Sequence, residues 1–449
     1  MRPLLTRKKA AILGTGRSGE AAARLLHTHG WLVTSLDSSA CMSVRARIRT
    51  LSKEGIDFII GTEADVDPTP YDLCVLSPGI GLASPIAQNI IRKQIPVISE
   101  IELAFWKCQV PIIAVTGTNG KSTTTKLIET LLNCCGIYSN ACGNIGPPFS
   151  EIVAQSHPDL RAAVVEVSSF QLETIHSFHP HIAVWLNLSW NHLDRYHSMG
   201  EYRQAKLRIF LNQTSEDFAV VNARDNLPDL AAKSITFSAE GLTADFTRRG
   251  SQILFQGTPV LDQSQTLLRG SHNAENLMAA LAAGYCLGLS FEDMARAACL
   301  YSPLEHRCEF VCRRDGICWI NDSKSTSLDA LEKAIQSQTT PIVLIAGGKD
   351  KGFEFDVLAP LVKARVKVAI LIGEMRYRIA ASWKAVPSEI SETLEDAVCL
   401  AAKLSFPGDV VLFSPGTSST DMFSGYEERG RYFKQFVYAL PGQQVRYHA

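Results

Sequence analysis

The chain has 449 residues, 46% of them hydrophobic, and carries 44 Lys and Arg against 45 Asp and Glu for a formal net charge of -1. That length predicts about three domains, each with enough apolar residues for a packed core. The charge balance excludes an electrostatic basis for binding nucleic acid or an anionic membrane. The 12 cysteines form no zinc-type pair of Cys-x-x-Cys units, and the group Cys308, Cys312 and Cys318 is expected to pack, not to ligate a metal. Cysteines scattered through a large α/β chain predict a reducing, cytoplasmic setting. Met1-Arg-Pro-Leu-Leu5 runs directly into charged residues, so no signal peptide is expected. The apolar stretch from Leu277 to Leu289 is interrupted by Gly284 and too short to cross a bilayer.

In chain order, Ala10 to Leu13 reads as a strand, followed by Gly14-Thr-Gly-Arg-Ser-Gly19 and a helix through Ala21, Leu25 and Leu26. Trp31 to Leu36 is a second strand ending at Asp37, and Leu73 to Leu76 a third ending in Ser77-Pro-Gly79. This βαβ spacing matches the dinucleotide fingerprint and literally predicts an NAD-type site. Its physical content is broader: glycines admit a diphosphate to a helix N-terminus, and an acidic residue after the next strand holds a sugar hydroxyl or a base edge. Close helix–sheet packing without any ligand is the alternative.

Ile112 to Val115 is a short buried strand, Gly117-Thr-Asn-Gly120 turns the chain, and a helix opens at Lys121 with Leu127, Ile128, Leu131 and Leu132 at helical spacing. The turn aims backbone N–H groups and the helix dipole at one spot that suits a triphosphate. Lys121 reaches outer phosphates, and the hydroxyl of Ser122 or Thr123 suits Mg²⁺. The usual phosphate-loop pattern has a leading glycine where this chain has Val115. An ordinary turn with a solvated lysine is the alternative. Ala162 to Glu166 is a strand that delivers Glu166 at its C-terminal end, where ligands collect in open α/β sheets and where a carboxylate can bind Mg²⁺. Ile182 to Leu186 leads into Asn187 and then Asn191-His-Leu-Asp-Arg-Tyr-His197, in which His192 is a candidate ligand for Mg²⁺ or the phosphate shell.

Tyr202 to Phe210 reads as an amphipathic helix, and its pattern assigns Lys206 to the solvated face. Ala244 to Leu268 is a β-rich excursion with turns at Gly250 and Gly257. Gly270 to Asn276 opens an Ala-rich helix with Ser271 or Asn273 as its cap. Pro303-Leu-Glu-His-Arg307 reads as a linker. Beyond it, strands at Cys318–Ile320, Pro341–Ala346, Val366–Ile372 and Val410–Phe413 follow. Three of them end in Asn321-Asp-Ser-Lys-Ser-Thr326, Gly347-Gly-Lys-Asp-Lys-Gly352 and Ser414-Pro-Gly-Thr-Ser-Ser419, which predicts one polar rim on a second parallel sheet.

Taken together, Gly117-Thr-Asn-Gly-Lys-Ser122, Glu166-Val-Ser-Ser-Phe-Gln171, Asn191-His-Leu-Asp194, His272-Asn-Ala-Glu-Asn276, His306-Arg307 and Asp322-Ser-Lys324 resemble the Mur ligase family of peptidoglycan synthesis, over the whole chain. A phosphate loop without the leading glycine is normal in that family. The glycine turn with Asp37, Ser77-Pro-Gly79, Gly347-Gly-Lys-Asp-Lys351 and Ser414-Pro-Gly-Thr-Ser-Ser419 are most like the members that add D-glutamate to UDP-N-acetylmuramoyl-L-alanine. The Asp-Asn-Pro-Arg motif usual in members that add lysine or meso-diaminopimelate is absent, and Lys349 stands where many relatives have aspartate.

The resemblance implies an α/β protein with a Rossmann-like UDP-sugar domain over 1–99, a central P-loop-type ATPase domain over 100–303 and a Rossmann-like amino-acid domain over 304–449. It implies a cytoplasmic monomer that forms an amide bond with ATP through an acyl phosphate. ATP would meet Gly117, Thr118, Asn119, Gly120, Lys121, Ser122, Thr123, Asn276, Arg307, Asp322 and Lys324. Two Mg²⁺ ions would be held by Ser122, Glu166, His192 and Lys206, the last carbamylated by CO₂. Lys121, His192, Lys206 and Arg307 are the implied catalytic set. Gly16, Arg17, Ser18, Asp37, Ser38, Gly79 and Asn144 would bind the nucleotide sugar, and Lys351, Ser419 and Thr420 the D-glutamate. Three rivals stand beside this reading: a folylpolyglutamate-type ligase, an NAD(P)-dependent oxidoreductase and a regulatory P-loop switch.

Overall fold

The computed structural model describes residues 8–39, 42–189, 195–442 and 444–445. Its strands fall into three sheets of five, nine and seven strands. The chain forms two compact units, one of Met1–Gln263 with Ala274–Cys299 and one of Ser264–Asn273 with Leu300–Ala449. Each carries its own cores.

In the first unit, β1 (Lys9–Leu13), β2 (Leu32–Asp37), β3 (Asp57–Ile60), β4 (Leu73–Leu76) and β5 (Val97–Ser99) lie in the order β3-β2-β1-β4-β5. Every pairing is parallel. Alternate residues of one strand serve opposite cores: Ala10 and Ile12 pack with Leu26, Val33 and Val75, whereas Ala11 and Leu13 pack with Leu36, Cys74 and Ile90. Burial on both faces is why these strands read as unbroken apolar runs. The chain reverses its direction of travel across the sheet at the β1–β4 boundary, the place where ligands collect in open α/β sheets.

The second sheet of this unit contains β6 (Ile112–Thr116), β7 (Ser139–Gly143), β8 (Ala162–Glu166), β9 (Ile182–Trp185), β10 (Phe218–Asn222), β11 (Lys233–Ser238), β12 (Phe246–Arg249), β13 (Gln252–Phe255) and β14 (Thr258–Asp262). β6 sits between β8 and β9, and the sheet is parallel from β7 to β12. β12, β13 and β14 then pair antiparallel, which is the excursion expected from the turns at Gly250 and Gly257. The helix Glu100–Phe105 connects the two sheets and buries two carboxylates. Glu102 accepts from the backbone N–H groups of His176, Ser177 and Phe178 at 2.8–3.0 Å and from the Trp106 indole at 3.0 Å.

The second unit holds β15 (Glu309–Arg314), β16 (Ile317–Asn321), β17 (Ile342–Gly347), β18 (Val366–Ile372), β19 (Ser388–Ile390), β20 (Val410–Phe413) and β21 (Gln444–Val445), in the order β19-β18-β17-β20-β16-β15-β21. β16 to β19 are parallel across the sheet, and β15 is antiparallel to both neighbours. β17, β20 and β16 are adjacent, so their polar ends do form one rim. Cys308 and Cys318 pack against one core of this unit and Cys312 lies in the other. Ser271 and Asn273 both lie inside the helix Ser271–Cys286, so neither is its cap as expected. Among the described residues no helix is long and apolar enough to cross a membrane.

Candidate active site

The turn after β1 is shaped by packing. A side chain at Gly19 would lie 2.0 Å from the Gly14 carbonyl oxygen, so only glycine lets the helix Arg17–Thr28 approach the strand so closely. Asp37 holds the turn: one carboxylate oxygen accepts from the backbone N–H and hydroxyl of Thr15 at 2.9 and 2.8 Å, and the other from the Ser39 N–H at 2.9 Å. Ser38 donates to Asp65 at 2.6 Å. Ser77 donates to the Gly14 carbonyl at 2.9 Å, which brings the end of β4 beside the turn. Gly16, Arg17 and Gly79 are exposed around it, and Ser18 is half-buried.

The turn after β6 is built differently. The backbone N–H of Thr118 donates to the Asn187 carbonyl, and that of Asn119 to the Asn187 side-chain oxygen, both at 2.9 Å. Asn187 returns a bond to the Asn119 carbonyl at 3.1 Å. Asn187, two residues beyond β9, therefore fixes the turn from both sides. A side chain at Gly120, where φ is +81°, would lie 2.3 Å from the side-chain oxygen of Asn276, which also accepts from the Thr124 hydroxyl at 3.2 Å. Asn276 thus packs against the turn from the helix Ser271–Cys286. Ser122 is buried and Thr123 half-buried in the first turn of the helix Lys121–Cys134.

Positive charge converges on one carbonyl. Lys121 folds back to donate to Gly117 and Thr118 carbonyls, each at 2.9 Å. Lys206 donates to the same Gly117 carbonyl at 2.8 Å. Lys206 is 1% exposed, so its expected place on a solvated face is wrong. The helix Met199–Leu207 turns Lys206 inward, over the ring of Tyr202 at 4.7 Å, because the adjacent rim is polar enough to receive an ammonium. Burial, and secondarily the Lys121 charge, hold the Lys206 amine well below the ordinary lysine range, while Glu166 acts in the opposite sense.

Glu166 is buried at the end of β8. One oxygen accepts from the Asn144 side-chain amide at 2.7 Å; the other has no hydrogen-bond partner. A buried carboxylate oxygen left open in this way fits a cation. Among the described residues no group of three or more His, Cys, Asp or Glu side chains is placed to hold a metal ion. The open Glu166 oxygen suits a hard cation that completes its shell with hydroxyl, phosphate and water oxygens, as Mg²⁺ does. Asn191, His192 and Asp194 lie outside the described residues.

In the second unit, Asp322 is buried and accepts from the Ser414 hydroxyl at 2.8 Å and the Cys308 N–H at 3.0 Å; burial pushes its carboxyl up to about 6. Arg307 is half-buried in the preceding segment. Lys324 lies over the Tyr426 ring at 3.6 Å. Lys351 is exposed near the Thr326 carbonyl at 3.4 Å, Ser419 is buried, and Thr420 lies 3.4 Å from the Ser418 hydroxyl. The sequence reading missed Arg429, which is 1% exposed and ties the rim together. Its guanidinium donates to the Ser323 carbonyl at 2.8 Å and hydroxyl at 3.1 Å, and to the Ser418 and Thr417 carbonyls at 3.2 and 3.3 Å. The signal was present, since Arg429, Phe433 and Val437 recur at helical spacing and all three are buried.

Comparison with known proteins agrees with these motifs. Residues 115–284 match the Mur ligase middle domain, and residues 306–416 match the Mur ligase glutamate ligase domain. The chain is 39% identical to a UDP-N-acetylmuramoylalanine–D-glutamate ligase of Pelotomaculum thermopropionicum, over 97% of this chain and 98% of the relative. It is 41% identical to one of Geotalea uraniireducens with the same coverage. The fold is similar to that of the UDP-N-acetylmuramate-alanine ligase MurC from Thermotoga maritima, with a TM-score of 0.62, 19% identity, and 96% and 99% of the two chains covered. The nicotinamide reading of the first glycine turn gives way to this match, and the chain belongs to the Mur ligase family.

Proposed function

We propose that this ligase adds D-glutamate to UDP-N-acetylmuramoyl-L-alanine with ATP, in the cytoplasm and as a monomer. The observation that carries the reaction type is the meeting of Lys121 and Lys206 at the Gly117 carbonyl, beside the open oxygen of buried Glu166. Such a rim suits a polyphosphate and its cation. The acceptor follows from the near-full-length relatives that carry that name. In this reading residues 1–99 are a Rossmann-like domain for the UDP-sugar, 100–303 a P-loop-type ATPase domain and 304–449 a Rossmann-like amino-acid domain.

The carboxylate of the nucleotide sugar attacks the γ-phosphorus of ATP, giving ADP and an acyl phosphate. The D-glutamate amine then attacks the acyl carbon, phosphate leaves and the new amide loses a proton. Activation is needed because a carboxylate has no leaving group that an amine can displace. Lys121 and the backbone N–H groups that open the helix Lys121–Cys134 bind and orient the outer phosphates, and Lys121 leaves the Gly117 and Thr118 carbonyls to do so. Glu166, Ser122 and carbamylated Lys206, with His192, would hold Mg²⁺, which neutralises charge on the transferring phosphoryl group. Burial favours the uncharged form of the Lys206 amine, which would add to CO₂ with loss of a proton and leave a carbamate anion in place of a second positive charge at Gly117. Asn144 keeps the Glu166 carboxylate oriented. Roles in the second unit stay those implied by the resemblance, with Lys351, Ser419 and Thr420 receiving the D-glutamate carboxylates.

The test is phosphate release from ATP with UDP-N-acetylmuramoyl-L-alanine and bicarbonate, scanned over D-glutamate, L-glutamate, glycine, L-lysine and meso-diaminopimelate. Release that needs both the nucleotide sugar and D-glutamate is expected. Release with another amino acid would overturn the acceptor, and release with none would overturn the ligase reaction.

A further inference from the structure

Arg195 has no place in the chemistry above, yet its contacts run between two ligand-facing loops of the first unit. Its guanidinium donates to the Pro78 carbonyl, in the turn that ends β4, at 3.1 Å. Another of its nitrogens pairs with Glu173 at 2.7 Å, and the guanidinium lies 4.0 Å from the centre of the Phe170 ring. Phe170 and Glu173 follow Glu166 on the loop and short helix after β8. The second Glu173 oxygen accepts from the Tyr196 hydroxyl, so both carboxylate oxygens are engaged. Tyr196 packs on Tyr202, ring centres 5.2 Å apart, and the Tyr202 hydroxyl lies 3.3 Å from the Thr118 hydroxyl in the phosphate turn.

We propose that Arg195, held by Glu173 and Phe170, is a positioning residue that fixes the Ser77-Pro78-Gly79 turn against the segment that follows Glu166, and so sets where the nucleotide sugar's reacting end lies relative to the phosphate turn. The inference rests on the first sheet being the nucleotide-sugar side. Three features make Arg195 more than a surface ion pair. Its side chain and that of Glu173 are 17% and 15% exposed, so their pairing is weakly screened. The partner on the far side is a backbone carbonyl, so the bond restrains the main chain of the turn itself. A planar guanidinium stacks on an aromatic face and donates in its own plane in a fixed fork, a rigid geometry that a lysine ammonium does not offer. The Ser77 hydroxyl, bonded to the Gly14 carbonyl, carries the same restraint into the glycine turn.

The experiment is steady-state kinetics of the full chain for Arg195→Met, Arg195→Lys, Glu173→Gln and the double variant Arg195→Met with Glu173→Gln, with a thermal melt of each. Losing charge-assisted bonds at a ligand loop should raise the KM for UDP-N-acetylmuramoyl-L-alanine roughly tenfold in Arg195→Met, with the KM for ATP within about twofold of wild type. Glu173→Gln should shift the same constant less, and Arg195→Lys should recover part of it. The double variant should be no worse than Arg195→Met, because the two residues act as one strut. Lower melting temperatures with unchanged KM values would show a merely structural pair and overturn the inference. Equal rises in both KM values would also overturn it. Calorimetry of wild type with the nucleotide sugar separates the two levels: no binding overturns the nucleotide-sugar reading and this inference together, whereas binding with unmoved variants overturns the inference alone.

Discussion

Two glycine turns in the first unit look alike in sequence and differ in what they leave undone. Gly14-Thr-Gly-Arg-Ser-Gly19 and Gly117-Thr-Asn-Gly-Lys-Ser122 each follow an interior strand of a parallel sheet and open onto a helix. Around the first, the polar groups satisfy one another: Asp37 is bonded to Thr15 and Ser39, and Ser77 to Gly14. Around the second, two lysines share the Gly117 carbonyl and Glu166 keeps a buried oxygen without a partner. A settled turn can hold a ligand through shape and backbone N–H groups. A turn with crowded cations and an open carboxylate is arranged for a ligand that brings its own charges, which is what phosphoryl transfer requires.

That contrast is open to attack from both sides. The largest effect is expected at Lys121→Ala, where coupled phosphate release should fall by about 10³-fold or more as positioning and charge stabilisation are lost together. Activity retained within a few-fold would put the chemistry elsewhere. On the other turn, Gly19→Ala should cost about 3 kcal/mol in denaturant unfolding, because the added carbon meets the Gly14 carbonyl and not solvent. Glu166→Gln keeps the shape and the bond from Asn144 but removes the charge. Turnover should fall roughly 100-fold at fixed Mg²⁺ and recover partly as Mg²⁺ is raised, checked by titrating the cation.

A second buried carboxylate sharpens the comparison. Glu100 accepts from the Ser150 N–H, and its other oxygen has no partner, as at Glu166. Burial pushes its carboxyl from 4.5 up to about 7, with the bonds from Ser150 acting in the opposite sense. Between those values the unfolded chain has released a proton that the folded chain retains. Stability from this group therefore falls as pH rises through the window. Glu100→Gln should flatten that slope, by about 2 kcal/mol between pH 4.5 and 7, in urea unfolding followed against pH. The smallest effect belongs to Gly16→Ala. No atom lies within 4 Å of the added carbon, so stability should move by less than about 0.5 kcal/mol while the KM for the nucleotide sugar rises.

Much of this was legible because parallel strands buried on both faces give short apolar runs that end in polar clusters. Glu166 at the end of β8, and the three clusters after β16, β17 and β20, were readable for that reason. Lys206 was not. Helical periodicity assigns a lysine outward, and only the tertiary placement of Gly117 and Glu166 makes an inward ammonium tolerable. Edge strands such as β3 and β19 carry mixed burial and so no clean pattern. Asp37 ends β2 as the spacing predicts, yet its bonds to Thr15 and Ser39 depend on a turn geometry that residue spacing does not encode.

In the proposed reaction the second turn activates a carboxylate by moving a phosphoryl group onto it. That step is tested most directly by labelling the free carboxylate of UDP-N-acetylmuramoyl-L-alanine with ¹⁸O and analysing the products of one turnover by mass spectrometry. An acyl phosphate requires one labelled oxygen to appear in the inorganic phosphate released when D-glutamate is joined. Unlabelled phosphate, or label in AMP, would contradict it.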